Sequence, residues 1–161
     1  MRKVRVGLVM DPASSLGRTH EEEVEDTLEQ ITWLLELKLE LVVEGTGMHK
    51  IPDDAGLDLL VIDYGGMSGY GGSDTAQRQI GRACEWAEEH TGSLVLLWTW
   101  HTQAIYQNEL RREFGDAINI KPYYAGSGNN HDEIRSWFAF GGFETMFPPM
   151  AEYLNDTPGR V

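Results

Sequence analysis

The stretch LDLLVIDY, residues 57–64, is a nearly continuous run of apolar residues. Strands that are buried on both faces of a parallel sheet have this composition. The runs VRVGLVM (4–10) and SLVLLWTW (93–100) have the same character. Each of these three runs is followed by a polar loop and then by a segment with helical periodicity. This alternation predicts an α/β protein in which helices cover a parallel sheet.

The first helix is predicted from its N-terminal signals and its apolar spacing. Thr19 and Glu22 form a capping-box pattern, and acidic residues follow where the helix dipole favours them. The helix is expected to extend to about residue 38. Its core-facing stripe is Val24, Leu28, Ile31 and Leu35.

A second helix is predicted to start at Ser73 or Asp74 and to end near His90. Its apolar positions are Ala76, Ile80, Ala83 and either Trp86 or Ala87. Two more strands are expected at 39–44 and 117–124, and shorter helices at about 103–113 and after residue 130. Pro122 restricts the last strand to a sheet edge, since proline donates no ladder hydrogen bond. The prediction is a three-layer sandwich with a five-stranded, mostly parallel sheet, flavodoxin-like or Rossmann-like.

Composition and charge limit the kinds of partner. The chain has 161 residues and a formal net charge of −13, so we expect one α/β domain (1–140) whose negative surface disfavours general nucleic-acid and anionic-membrane binding. No stretch has the roughly 18 apolar residues that a membrane helix needs. Cys84 is the sole cysteine, which favours a cytoplasmic or similarly reducing location.

Apolar residues in the tail (141–161) predict that it docks on the domain or on another subunit of a homo-oligomer.

A ligand site is predicted at the carboxyl ends of the strands. Open parallel sheets bind ligands beyond this edge, near the point where the strand order reverses. Four loops should meet there, and all are rich in Gly, Ser, Asn, Asp or His. They are DPASSLGR (11–18), DYGGMSGYGGSD (63–74), TWHT (99–102) and AGSGNNHD (125–132).

The first loop offers a position for an anionic group. Ser14 and Ser15 come just before a helix N-terminus, whose free N–H groups favour anions, and Arg18 supplies a counter-charge. Ordinary turn chemistry at a strand-to-helix junction explains the same residues. The loop is neither a GxGxxG nor a Walker motif, so a nicotinamide cofactor of the usual Rossmann kind and ATP hydrolysis are disfavoured, and no cofactor is predicted.

The glycine-rich loop after the third strand is a candidate cover for a base or a sugar. Glycines such as Gly65, Gly66 and Gly71 allow a close approach of the backbone to a ligand. Tyr64 and Tyr70 offer rings for stacking. A flexible surface loop without a ligand is the alternative explanation.

The sequence offers few candidate catalytic residues. His101 follows a strand and is a candidate acid or base, although a solvated loop histidine fits the pattern equally well. Asp74 and Asp11 are candidate carboxylates, and Asp74 also fits a helix cap. Asn129 and Asn130 are candidates for binding sugar hydroxyls, or for capping the last helix. The five histidines show no ligand spacing, so no metal site is predicted.

Residues 57–99 carry a further pattern: a strand, a polar glycine loop, SDTAQRQIGRA, a helix and the strand SLVLLWT. This part of the chain resembles the nucleoside 2-deoxyribosyltransferase family and its nucleoside hydrolase relatives. The resemblance places Asp74 and Thr75 at ligand-contacting positions. Gln79 falls where the family has its nucleophilic glutamate, with one residue more between it and Thr75. An amide is a far poorer nucleophile than a carboxylate, so the resemblance implies binding without the family's covalent mechanism.

Two functions follow from these patterns. One is binding of a nucleotide or nucleoside, with cleavage or transfer of a glycosidic bond if the protein is an enzyme. The other is a non-catalytic interaction or assembly protein on an α/β scaffold. The fold by itself does not choose between them.

Overall fold

A computed structural model describes residues 3–10, 19–36, 38–63, 74–99 and 119–124, with the backbone alone at 74–77, 99 and 122–124. The elements in chain order are β1 (Val4–Met10), α1 (His20–Leu35), β2 (Leu39–Gly45), a 3-10 turn (Met48–Lys50), β3 (Leu59–Asp63), α2 (Asp74–Glu89), β4 (Leu94–Thr99) and β5 (Ile120–Tyr124). The predicted helix at 103–113, the last helix and the tail at 141–161 lie outside the described residues.

The five strands form one sheet in the order β2-β1-β3-β4-β5, and every described pair is parallel. The predicted α/β fold is therefore confirmed, and the order is that of flavodoxin-like sheets. The chain goes outward from β1 to β2, returns past β1 to β3 and then continues in the other direction. The strand order consequently reverses between β1 and β3.

The sheet separates two hydrophobic cores, one under each helix. Residues of α1, including Ile31 and Leu34, pack on one face, and residues of α2, including Ile80 and Trp86, pack on the other. We call these the α1 face and the α2 face of the sheet. Helices on opposite faces give the predicted three layers.

Both ends of helix α1 are capped by hydrogen bonds. The Thr19 hydroxyl accepts a hydrogen bond from the backbone N–H of Glu22 at 3.2 Å, which confirms the predicted cap. The helix ends at Glu36, which has a left-handed backbone (φ 56°) and donates its N–H to the Thr32 carbonyl at 2.8 Å. Of the predicted stripe, Val24, Ile31 and Leu35 are buried and Leu28 packs against them.

The connection from β2 to β3 has no α-helix and is held by hydrogen bonds between side chains and the main chain. Arg5 donates from Nε to the Gly56 carbonyl at 2.8 Å and from Nη2 to the Ala55 carbonyl at 2.9 Å. Gly56 has φ +68°, a conformation that glycine adopts without strain. The Asp58 carboxylate accepts the backbone N–H of Arg5 at 2.9 Å. Together these contacts fix the end of the sheet opposite to the predicted site.

β5 lies at the edge of the sheet next to β4, as Pro122 predicts. The strand begins at Ile120, three residues later than position 117 where the sequence places it. None of the helices in the described part of the chain is long and apolar enough to cross a membrane.

Candidate functional site at the carboxyl edge

Side chains from three strands meet on the α1 face where the strand order reverses. Met10 at the end of β1 is in register with Asp63 at the end of β3, and Asp63 is in register with Trp98 of β4. Met10 and Trp98 belong to the hydrophobic core of the α1 face. A carboxylate therefore stands at the switch point between two apolar side chains.

Asp63 is a buried carboxylate with a hydrogen bond to helix α1. Its side chain is 7% exposed, and its Oδ2 accepts the hydroxyl hydrogen bond of Thr27 at 3.0 Å. Burial of a carboxylate is costly unless hydrogen bonds compensate, and the Thr27 hydroxyl supplies one of them. The sequence predicts Asp63 as the end of a buried strand and gives no role to Thr27.

A second polar pair lies at the same edge. Nε2 of His20, the first residue of α1, is 2.6 Å from Oε2 of Glu44, near the end of β2. The pairing register between β1 and β2 shifts after Val6, so that Val42 is an extra residue in β2. Val42 and Val43 both pack towards the core of the α2 face, and the alternation restarts with Glu44 on the α1 face. This β-bulge therefore turns Glu44 towards His20.

Sequence reasoning missed Thr27, His20 and Glu44. A usable signal exists for the two helical residues: His20, Val24, Thr27 and Ile31 are spaced by four, three and four residues, so both lie on the buried stripe of α1. A hydroxyl or an imidazole on such a stripe indicates a polar partner on the sheet. The bulge that orients Glu44 has no comparable signal in the sequence.

Gln79 is the one predicted site residue whose side chain the structure describes. It is 8% exposed, and its Oε1 accepts the backbone N–H of Met48 at 2.8 Å. This bond joins α2 to the 3-10 turn that follows β2. Gln79 thus has a structural contact in addition to any contact with a ligand.

For the other predicted site residues, the structure describes at most the backbone. Asp74 and Thr75 form the start of α2, after the carboxyl end of β3, and their side chains are not described. The remaining predicted residues lie outside the described ranges: Asp11, Ser14, Ser15, Arg18, Tyr64, Gly65, Gly66, Tyr70, Gly71, His101, Asn129 and Asn130.

A separate open cleft of about 230 Å³ lies on the α2 face. Its polar lining includes Arg82, Glu85 and Glu89 of α2 and His49 of the 3-10 turn. Trp86 contributes an apolar wall and stacks on His90, with ring centroids 4.0 Å apart. Gln79, whose side chain the structure describes, is not among the described residues that line this cleft.

No group of three or more His, Cys, Asp or Glu side chains within the described ranges could hold a metal ion. Comparisons with protein-family models, curated proteins and solved structures found no match to this chain. The functional argument consequently depends on the geometry of the carboxyl edge.

Proposed function

We propose that this chain binds a small molecule of the nucleotide or nucleoside class at the carboxyl edge of the sheet, over the switch between β1 and β3. The observation that carries the proposal is the position of Asp63. A buried carboxylate stands in register with the last residue of β1, where a parallel sheet of this order opens a crevice for ligands.

The loops that meet this edge support the ligand class. Ser14, Ser15 and Arg18 suit an anionic group, and the glycine loop with Tyr64 and Tyr70 suits a base or a sugar. The polar side chains of the α1 face lie beside these loops in sequence, since Asp63 directly precedes Tyr64. The proposal includes a cytoplasmic or similarly reducing location, because Cys84 is the sole cysteine of the sequence and no disulfide can form within it.

If the protein is an enzyme, cleavage or transfer of a glycosidic bond fits the proposed ligand best. Asp74 or Asp11 would be the carboxylate at the reacting carbon, and His101 would carry the proton. Gln79 is not the nucleophile, because an amide lacks the reactivity and its oxygen accepts the Met48 N–H. No cofactor is part of this proposal.

Liquid chromatography with mass spectrometry tests the proposal. Purified protein is incubated with a mixture of nucleosides, nucleotides and dinucleotides, and the free pool is measured before and after the protein is denatured. A compound withdrawn intact and recovered on denaturation supports binding, and release of a free base supports glycosidic chemistry. A pool that stays unchanged contradicts the proposal.

A matched pair of variants locates the site. Asp74→Ala should abolish retention or turnover, while Asp54→Ala, which removes an exposed carboxylate from the β2–β3 connection, should leave both unchanged. Circular dichroism checks that the two variants are folded. Full retention by folded Asp74→Ala would refute the role assigned to this residue.

Exposed apolar side chains favour a second candidate, a non-catalytic interaction or assembly protein. Trp33 on α1 is 60% exposed and Leu41 on β2 is 37% exposed. This candidate predicts that removal of residues 143–161, or the change Trp33→Ser, alters the oligomeric state or partner binding. Sedimentation that is identical for the intact and the altered chains would count against it.

A further inference from the structure

Glu44 and Glu40 provide a comparison within one strand. Both carboxylates belong to β2, but the bulge at Val42 separates the faces on which they lie. Glu40 lies on the α2 face, with its Oε2 3.9 Å from Nη1 of Arg5. Glu44 lies on the α1 face beside His20, at the carboxyl end of the strand. Only Glu44 therefore lies at the proposed ligand edge.

The His20–Glu44 pair is accessible and leaves a hydrogen-bond acceptor for a ligand. The side chains are 41% and 35% exposed, so a ligand can reach them. Oε2 of Glu44 is occupied by His20, which leaves Oε1 as an acceptor, since an ionised carboxylate offers about four lone-pair sites. The contact with His20 also limits the rotation of the carboxylate, which lowers the entropy lost when a ligand binds.

The pair lies within reach of a ligand over the switch point. Glu44 is in register with Leu8, and Asp63 is in register with Met10, on the opposite side of β1. Two strand spacings of about 4.8 Å and two residue rises of about 3.3 Å place the backbones of Glu44 and Asp63 roughly 12 Å apart. An extended ligand such as a nucleoside can span this separation.

We infer that Glu44, held by His20, recognises the vicinal hydroxyls of a ribose; this inference rests on the proposed function. Each hydroxyl has one O–H to donate, so two adjacent hydroxyls can both donate to the lone pairs that His20 leaves on the Glu44 carboxylate. A cationic group fits less well, because His20 already occupies one oxygen of the carboxylate. Glu44 is thus the residue that distinguishes ribose from deoxyribose.

Equilibrium dialysis tests this inference with the full-length protein. The probes are the four ribonucleosides and their 5′-monophosphates, each paired with its 2′-deoxy counterpart. The protein should bind at least one ribose compound about tenfold or more tightly than its deoxy counterpart, as expected for a hydrogen bond to a charged group. Glu44→Ala should abolish this preference, and the matched control Glu40→Ala should retain it. Glu44→Gln replaces the alanine variant if the latter is not folded.

The outcomes separate the inference from the proposed function. If the protein binds ribose and deoxyribose compounds equally, or if Glu44→Ala keeps the preference, the inference is wrong and the proposed function stands. If no compound of either series binds, the proposed function fails and the inference fails with it. Loss of the preference in Glu40→Ala as well as in Glu44→Ala would also refute the inference, since the effect would not be specific to the α1 face.

Discussion

The hydrogen bond between Thr27 and Asp63 makes a quantitative prediction for Thr27→Val. Valine has nearly the shape of threonine and a similar helix propensity, so the change mainly removes the hydroxyl. The buried Asp63 carboxylate then loses the donor that lies 3.0 Å from its Oδ2. Hydrogen bonds to charged groups contribute about 1.5–3 kcal/mol, so the free energy of unfolding should fall by about that amount.

Thr27→Ser is the control, because it keeps the hydroxyl and removes a methyl group worth about 0.8 kcal/mol. Burial of apolar surface alone would make the valine variant the more stable of the two, whereas the hydrogen bond makes the serine variant more stable. Urea unfolding at neutral pH measures the order, provided that the m-value stays constant. A valine variant as stable as the serine variant, or as the wild type, would refute the role given to Thr27.

Three further predictions concern Gly45, Gly81 and Gln79. Denaturant unfolding measures the change in the free energy of unfolding for each variant. Gly45→Ala should destabilise the fold by about 1–3 kcal/mol, because the new Cβ would lie 2.5 Å from Cβ of Lys50. An unchanged unfolding midpoint would contradict this prediction, since it would show that the 3-10 turn moves away without cost. Gly81→Ala, in α2 with no atom within 4 Å of the new Cβ, should instead stabilise by about 0.5–1 kcal/mol; a loss of stability would contradict this. Gln79→Ala should cost about 1–3 kcal/mol, since it leaves the buried Met48 N–H without its acceptor; a cost below about 0.5 kcal/mol would contradict the contact.

The fold could be predicted from the sequence because local and global signals agree. The apolar runs at Leu59–Asp63 and Leu94–Thr99 are too hydrophobic for a strand with a solvent-exposed face, and the cap at Thr19 marks the start of a helix. The strand order is less evident in the sequence. It depends on which crossover reverses direction, and the β2–β3 connection has no helix whose pattern could indicate its course.

The candidate site follows from the sequence only as a position at the sheet edge, and its side-chain contacts do not follow from the sequence. The switch-point rule depends on topology alone, so it selects the edge that carries Asp63. The partners of Asp63 and Glu44 depend on long-range register, which one inserted residue changes: the bulge at Val42 reverses the face on which Glu44 lies. Strict alternation would place Glu44 on the α2 face, away from His20.

At Gln79, the role implied by the family resemblance can be compared with the contact that the structure shows. The resemblance assigns this position to a nucleophile, and a carboxylate nucleophile needs an oxygen directed at the sugar. Here Oε1 of Gln79 accepts the Met48 N–H instead, and the Nε2 group of the same amide only donates hydrogen bonds. An amide at this position forms no bond to carbon. Under the proposed function, Gln79 is therefore a hydrogen-bonding residue, and the proposed glycosidic chemistry needs a carboxylate at another position.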